Sequence, residues 1–411
     1  MKSLFLTFLA GLGTVSAACT LHAAEPVQGV PLVQAAKGDA KADAKAKADA
    51  KAKAKKGDKE EARDPKKAAM QKKKELRESG VKNVRAKSPS EWPHKVPVPA
   101  DTQLAEVKDK PGSAGFTYES NNYVFESPVE LSPEGRKTIG RLFECAFAAN
   151  RAIAKVLPVE RAKQERGEKK YRVVLARNMQ EYYSKGGMQN SKGVFMQQVP
   201  DDGTGHPQPF QESDIHSDHV LVPFDSVGLN EQGKLVKNDI DTHTLVHELT
   251  HQNFALNRLG TWSSEGWAEY VGYVPCADGA LDFDAARAAI TEQAKARAAA
   301  GLLHFPFTLA RFLSMPRQEL YRHMGGGKCD PYMLSAMLVT YYVQLSGERG
   351  VSAMRAWLSA LRTPLPPEQA LPRLLSPHGS PGTLQQDFLQ AWQQQGITDI
   401  SFAVGDDGGG D

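Results

Sequence analysis

Between Phe8 and Trp92 the chain holds no aromatic residue, and residues 35–56 contain only Ala, Lys, Asp and Gly38. A stretch so poor in apolar surface cannot offset the entropy of ordering it. Residues 25–112 therefore read as a disordered Ala/Lys-rich tether, ending in Pro93, Pro97, Pro99 and Pro111. The missing aromatics also remove the stacking platforms that single-stranded nucleic acid needs, so nucleic-acid binding is set aside. Long apolar runs are scarce as well. Leu4–Val15 spans 12 residues behind Lys2 and ahead of Ser16-Ala17-Ala18. That is too short to cross a bilayer and has the shape of a secretory signal, placed over residues 1–24. Cys19 follows those small residues without the leucine of a full lipobox, which leaves lipid attachment there open. No internal repeat of fold-defining period occurs outside the Ala/Lys tract.

The formal charge of +3 conceals a split: residues 1–90 carry 20 Lys and Arg against 10 Asp and Glu, and the remainder carries 31 against 38. A basic tail behind an export signal implies electrostatic contact with an anionic cell envelope, for a periplasmic or secreted protein. Cysteines are few. Cys145 falls in a helical pattern and reads as a small buried residue. Cys276 and Cys329 flank one segment, and an oxidising compartment would allow them to pair.

Residues 113–400 have the composition of a folded body, and 401–411 reads as a flexible tail. Phe116–Tyr118 and Tyr123–Phe125 alternate as half-buried strands do, and Tyr171–Leu175 and Val220–Phe224 read as buried strands. Ser132-Pro133-Glu134 opens a helix running to about Leu157. Helical patterns then dominate, over 284–300, 307–315, 332–344 and 351–361. Strands first and helices later predict an α+β fold, with a mixed sheet N-terminal to the helix around residue 247 and a mainly helical C-terminal part.

That helix carries the chemistry. His247-Glu248-Leu249-Thr250-His251 places two imidazoles four residues apart, about 6 Å of rise on one helix face. Such a pair holds one zinc ion, with Glu248 beside it as general base. Asp241 and Thr242 supply the N-cap, and Gly260 the stop. Within Trp262–Tyr270, Glu265 and Glu269 share the next helix's face, and either could be the third ligand.

His247–His251 together with Ser264-Glu265-Gly266-Trp267-Ala268-Glu269-Tyr270 resembles the gluzincin metallopeptidases, and within them the peptidase MA-like branch. The resemblance spans Asp241 to Tyr273 closely and the body loosely through its order of elements. It implies a zincin-like domain with Zn2+ held by His247, His251 and Glu265, Glu248 as base, and Glu269 steadying a ligand histidine. It also implies that Tyr332, at the start of a later apolar helix, steadies an oxyanion, and that the substrate is a peptide or protein. The gap of 13 residues between His251 and Glu265 is shorter than in many gluzincins.

Other histidines compete. His243 precedes His247 by four but lacks a following glutamate, and His216, Asp218 and His219 read as a solvated loop. Gly186–Asn190 resembles the amine-binding motif of the aminopeptidase branch, but Gln189 stands where that motif has glutamate. It reads as a turn, which favours an endopeptidase. The competing expectation from another class is a non-catalytic, zinc-bearing envelope binding or scaffold protein, against which the intact Glu248 speaks.

Overall fold

The computed structural model describes residues 91–98, 104–106, 115–158, 170–188, 191–196, 219–236, 240, 242–254, 259–277, 279–325, 327–362 and 367–404. The expected signal, Cys19, the tether as far as residue 90, Gln189, His216, Asp218, Asp241 and the last seven residues of the tail lie outside them.

The strands and helices are β1 (Lys95–Pro97), β2 (Ala105–Glu106), β3 (Phe116–Glu119), β4 (Tyr123–Ser127), α1 (Pro133–Ala154), β5 (Tyr171–Ala176), α2 (Met179–Ser184), β6 (Val194–Met196) and β7 (His219–Pro223). After them come α3 (His243–Phe254), α4 (Thr261–Gly272), β8 (Cys276–Ala277), β9 (Ala280–Asp282), α5 (Phe283–Ala299) and β10 (His304–Phe305). The chain closes with α6 (Leu309–Leu313), α7 (Arg317–Gly325), α8 (Pro331–Thr340), α9 (Gly347–Leu361), α10 (Pro367–Leu375), α11 (Pro381–Gln394) and β11 (Ser401–Phe402). The class is α+β.

Six strands form a mixed sheet in the order β2-β3-β4-β5-β7-β6. β4, β5 and β7 run parallel, and β2, β3 and β6 are antiparallel to their neighbours. Alternation assigns the faces. Val173, Leu175, Val220 and Val222 join the main core, whereas Val174, Ala176 and Leu221 meet Tyr182 of α2 on the other side. With both faces covered, β5 and β7 read as continuous apolar runs rather than alternating ones.

Local signals start α1 and α8 close to where expected, whereas α2, α7, α10 and α11 have no counterpart among the expected helices and α9 opens at Gly347 rather than 351. Ser132 Oγ accepts from the Gly135 N–H at 3.1 Å, with Pro133 in the first turn of α1. Asp330 caps α8 through the Met333 N–H at 3.0 Å. The helix expected over 332–344 is in fact α8 followed by a π-turn at Tyr341–Leu345, closed by the Ser346 N–H on the Tyr341 carbonyl at 2.8 Å. Among the described residues no helix is long and apolar enough to cross a membrane. The Gly186-Gly187 segment ends α2: the Gly187 N–H donates to the Tyr182 carbonyl at 2.9 Å, a turn as expected.

Three expectations are corrected. The flexible tail does not begin at residue 401, because Ser401 and Phe402 form β11 and pair in parallel with His304 and Phe305 of β10. The tether does not extend to residue 112, because ordered structure is already present at Glu91. Trp92 is buried, its ring centroid 6.1 Å from Trp267, 5.9 Å from Tyr270 and 6.1 Å from Phe283. Its indole N–H donates to the Tyr270 hydroxyl at 3.0 Å, β1 pairs with β9, and β2 extends the main sheet through β3. A lone aromatic among prolines and charges carries no periodicity, so only its packing reveals it.

The disulfide also differs from expectation. Cys276 bonds Cys145 of α1, while Cys329 is free and buried. The bond joins residues 131 apart and ties α1 to the strand that follows α4. Cys145→Ser is expected to lower unfolding free energy by about 2–5 kcal/mol, measured by denaturant titration. An unchanged midpoint, with wild-type thiols shown to be oxidised, would count against the bond.

Candidate metal centre

α3 projects His243, His247 and His251 from one face, while Leu245 and Leu249 point into the core at 1 % and 0 % exposure. α4 packs beside it and brings Glu265 and Glu269 to the same face. α8 lies against α4, and the close approach requires Gly266: a Cβ there would fall 2.6 Å from the Ser335 carbonyl oxygen. That contact carries Tyr332, at the start of α8, up to the histidines.

Three donors converge. His247 Nε2 and His251 Nε2 lie 3.0 Å apart, and Glu265 Oε2 is 3.3 Å from each. A tetrahedral ion held at about 2.0–2.1 Å separates its ligands by about 3.3 Å, so the triangle has the size a zinc ion needs. Among the described residues two groups could hold a metal ion, this one and His243, His247 and Glu269.

Hydrogen bonding distinguishes them. Glu269 Oε1 takes the outer nitrogen of His247, Nδ1, at 2.9 Å, and its Oε2 meets His243 Nε2 at 3.0 Å. The contact of Nδ1 with Glu269 orients the His247 ring so that Nε2 faces the His251–Glu265 side, where its lone pair would be available to a bound cation once that nitrogen is deprotonated. The Ser264 hydroxyl lies 3.3 Å from His251 Nδ1 and the Tyr321 hydroxyl donates to Glu265 Oε1 at 3.0 Å, so each of the three donors has an outer partner. The geometry thus separates two glutamates that the sequence leaves open. Glu265 shares the triangle, and Glu269 stands behind His247.

Charge follows from this packing. Burial alone would lower the His247 imidazole, but bonds to Glu265 and Glu269 hold it well above its usual value. Burial would raise Glu265, yet His251 and His247 keep its carboxyl well below the ordinary range. Glu269 is lowered too, against its burial, chiefly by His243. Carboxylates that stay ionised beside imidazoles are what a cation site requires.

Glu248 is half-buried and points to β6, the sheet's edge, where its Oε2 accepts from the Phe195 N–H at 2.9 Å. The Tyr332 ring meets His247 edge-on at 6.0 Å, and burial, with Glu265 second, pushes its phenol well up, so it remains a proton donor. His219 lies at the start of β7, in neither metal-capable group. Tyr321 and Arg317 had no signal in the sequence beyond their spacing of four on α7, which places them on one face. His243 meets the other oxygen of Glu269 and belongs, with His247 and Glu269, to the second group that could hold an ion.

No family model, curated protein or solved structure matches this chain. The site's chemistry therefore rests on its own residues.

Proposed function

We propose that the protein is an exported zinc-dependent peptidase of gluzincin type, with a zincin-like fold. One observation carries the reading: two histidines and Glu265 form a ligand-sized triangle, with Glu248 next to the first histidine. Support for the fold comes from the mixed sheet with its antiparallel edge strand beside Glu248. The resemblance around the two motifs points the same way. Support for export comes from the Cys145–Cys276 bond, which suits an oxidising compartment, and from the apolar run behind Lys2. Contact between the basic segment and an anionic envelope is part of the same proposal.

His247, His251 and Glu265 would hold the ion. Bound there, zinc would supply Lewis acidity toward a carbonyl oxygen and toward water. Glu248 does the proton work. Its carboxylate takes a proton from the water whose oxygen bonds to the peptide carbon, then gives it to the amine nitrogen as the C–N bond breaks. The Phe195 N–H fixes one of its oxygens, which limits rotation of the carboxylate. The Tyr332 hydroxyl donates a hydrogen bond to the carbonyl oxygen as negative charge grows on it, a contribution of about 3 kcal/mol for a donor well placed in such a site.

The direct test uses the full-length protein: zinc by elemental analysis, and cleavage of a peptide mixture by mass spectrometry. The expected result is one zinc per chain and hydrolysis that stops on chelation and returns with zinc. A protein with neither zinc nor hydrolysis defeats the proposal.

A further inference from the structure

We propose that Arg317 binds a carboxylate of the substrate, so that the site acts on peptides with a negative charge near the scissile bond. The inference rests on the peptidase reading for its substrate class, though not for the binding itself.

Arg317 opens α7 and is exposed, yet it is held in place. Its Nε–H donates to the Tyr321 hydroxyl oxygen at 3.1 Å, and its guanidinium lies 5.5 Å from the centre of that ring. The Tyr321 proton is already committed to Glu265 Oε1 at 3.0 Å, so Arg317 stands two hydrogen bonds from the ligand triangle. Two other arginines are matched with acids. Arg297 pairs with Asp330 and Arg311 with Glu319. Among the described residues Arg317 has no carboxylate within ion-pair reach, and its Nη donors carry no protein bond.

An arginine that served only to offset Glu265 would bond that carboxylate directly. Here a phenol occupies the position between them, and the forked end of the guanidinium remains for something else. That fork matches a carboxylate, which can accept two parallel N–H bonds. Anchoring by Tyr321 lowers the entropy lost when the pair forms. A free chain terminus and an Asp or Glu side chain present the same chemistry.

Calorimetry on the full-length, chelator-stripped protein reads the binding without requiring turnover. Three short N-acetylated peptides of one apolar sequence are titrated: one with a free C-terminal carboxylate, one amidated, and one amidated with a single Glu inserted. The wild type is expected to bind a carboxylate-bearing peptide about fivefold more tightly than the neutral one, and whichever binds tighter identifies the source of the charge. The preference should shrink as salt is added. In Arg317→Met it should fall to about unity, and Arg317→Lys should keep part of it, with circular dichroism verifying the fold. Equal or absent binding by the wild type overturns the proposal, as does a preference that survives in Arg317→Met or ignores salt. If zinc-loaded protein cleaves no peptide while the preference stands, the peptidase reading fails and this one does not.

Discussion

Glu248→Gln is expected to lower peptide hydrolysis by about 10²–10⁴-fold while leaving the zinc content of the protein unchanged. The amide is nearly the same size as the carboxylate and still offers an oxygen to the Phe195 N–H, so the contact with β6 at 2.9 Å in the wild type can persist. What it loses is the capacity to take a proton. Glu248 is also outside the ligand triangle, whose three atoms come from His247, His251 and Glu265. Zinc analysis and turnover should therefore part company in this variant. Full activity in Glu248→Gln would remove the general-base assignment, and loss of zinc would mean that Glu248 helps hold the ion.

The second expectation contrasts two glutamates one helical turn apart. Glu265→Ala should abolish stoichiometric zinc, because it takes away one corner of the triangle and leaves two imidazoles alone. Glu269→Ala should keep zinc but bind it about 10–100-fold more weakly, as removal of the partner of a ligand histidine commonly does. Glu269 holds the Nδ1 side of His247 at 2.9 Å and is joined to His243 at 3.0 Å. Without it the His247 ring is freer to turn and its tautomer is no longer set. Competition with a chromogenic chelator measures both affinities. The reverse order, zinc lost in Glu269→Ala and kept in Glu265→Ala, would exchange the two roles.

Legibility followed the range of the interactions. His247, Glu248 and His251 are neighbours on one helix, so their convergence is a matter of helical pitch, readable from spacing alone. The same holds for the Ser132 cap of α1 and for the alternation of Tyr123, Phe125 and Ser127 in β4. Long-range partners carry no such periodicity. Trp92 meets Tyr270 across a separation of 178 residues and packs on Trp267 beside it, and a single tryptophan after a low-complexity stretch gives no pattern. The helical pattern around Cys145 says nothing of its partner, which lies 131 residues away. Tyr321 reaches Glu265 from a helix of otherwise ordinary surface character.

By itself, then, the sequence determined the residue types of the centre, the helix that carries its two histidines and the α+β class, because these depend on local pitch, capping and alternation. Tertiary structure decided which glutamate joins those histidines, which residue stands behind each donor, where the folded body begins and which cysteines pair. Each of those is a distance between elements far apart in the chain, set by how α4, α7 and α8 pack against α3 and the sheet. Packing at that range depends on side-chain volumes and close contacts such as Gly266 against Ser335, which no local pattern encodes.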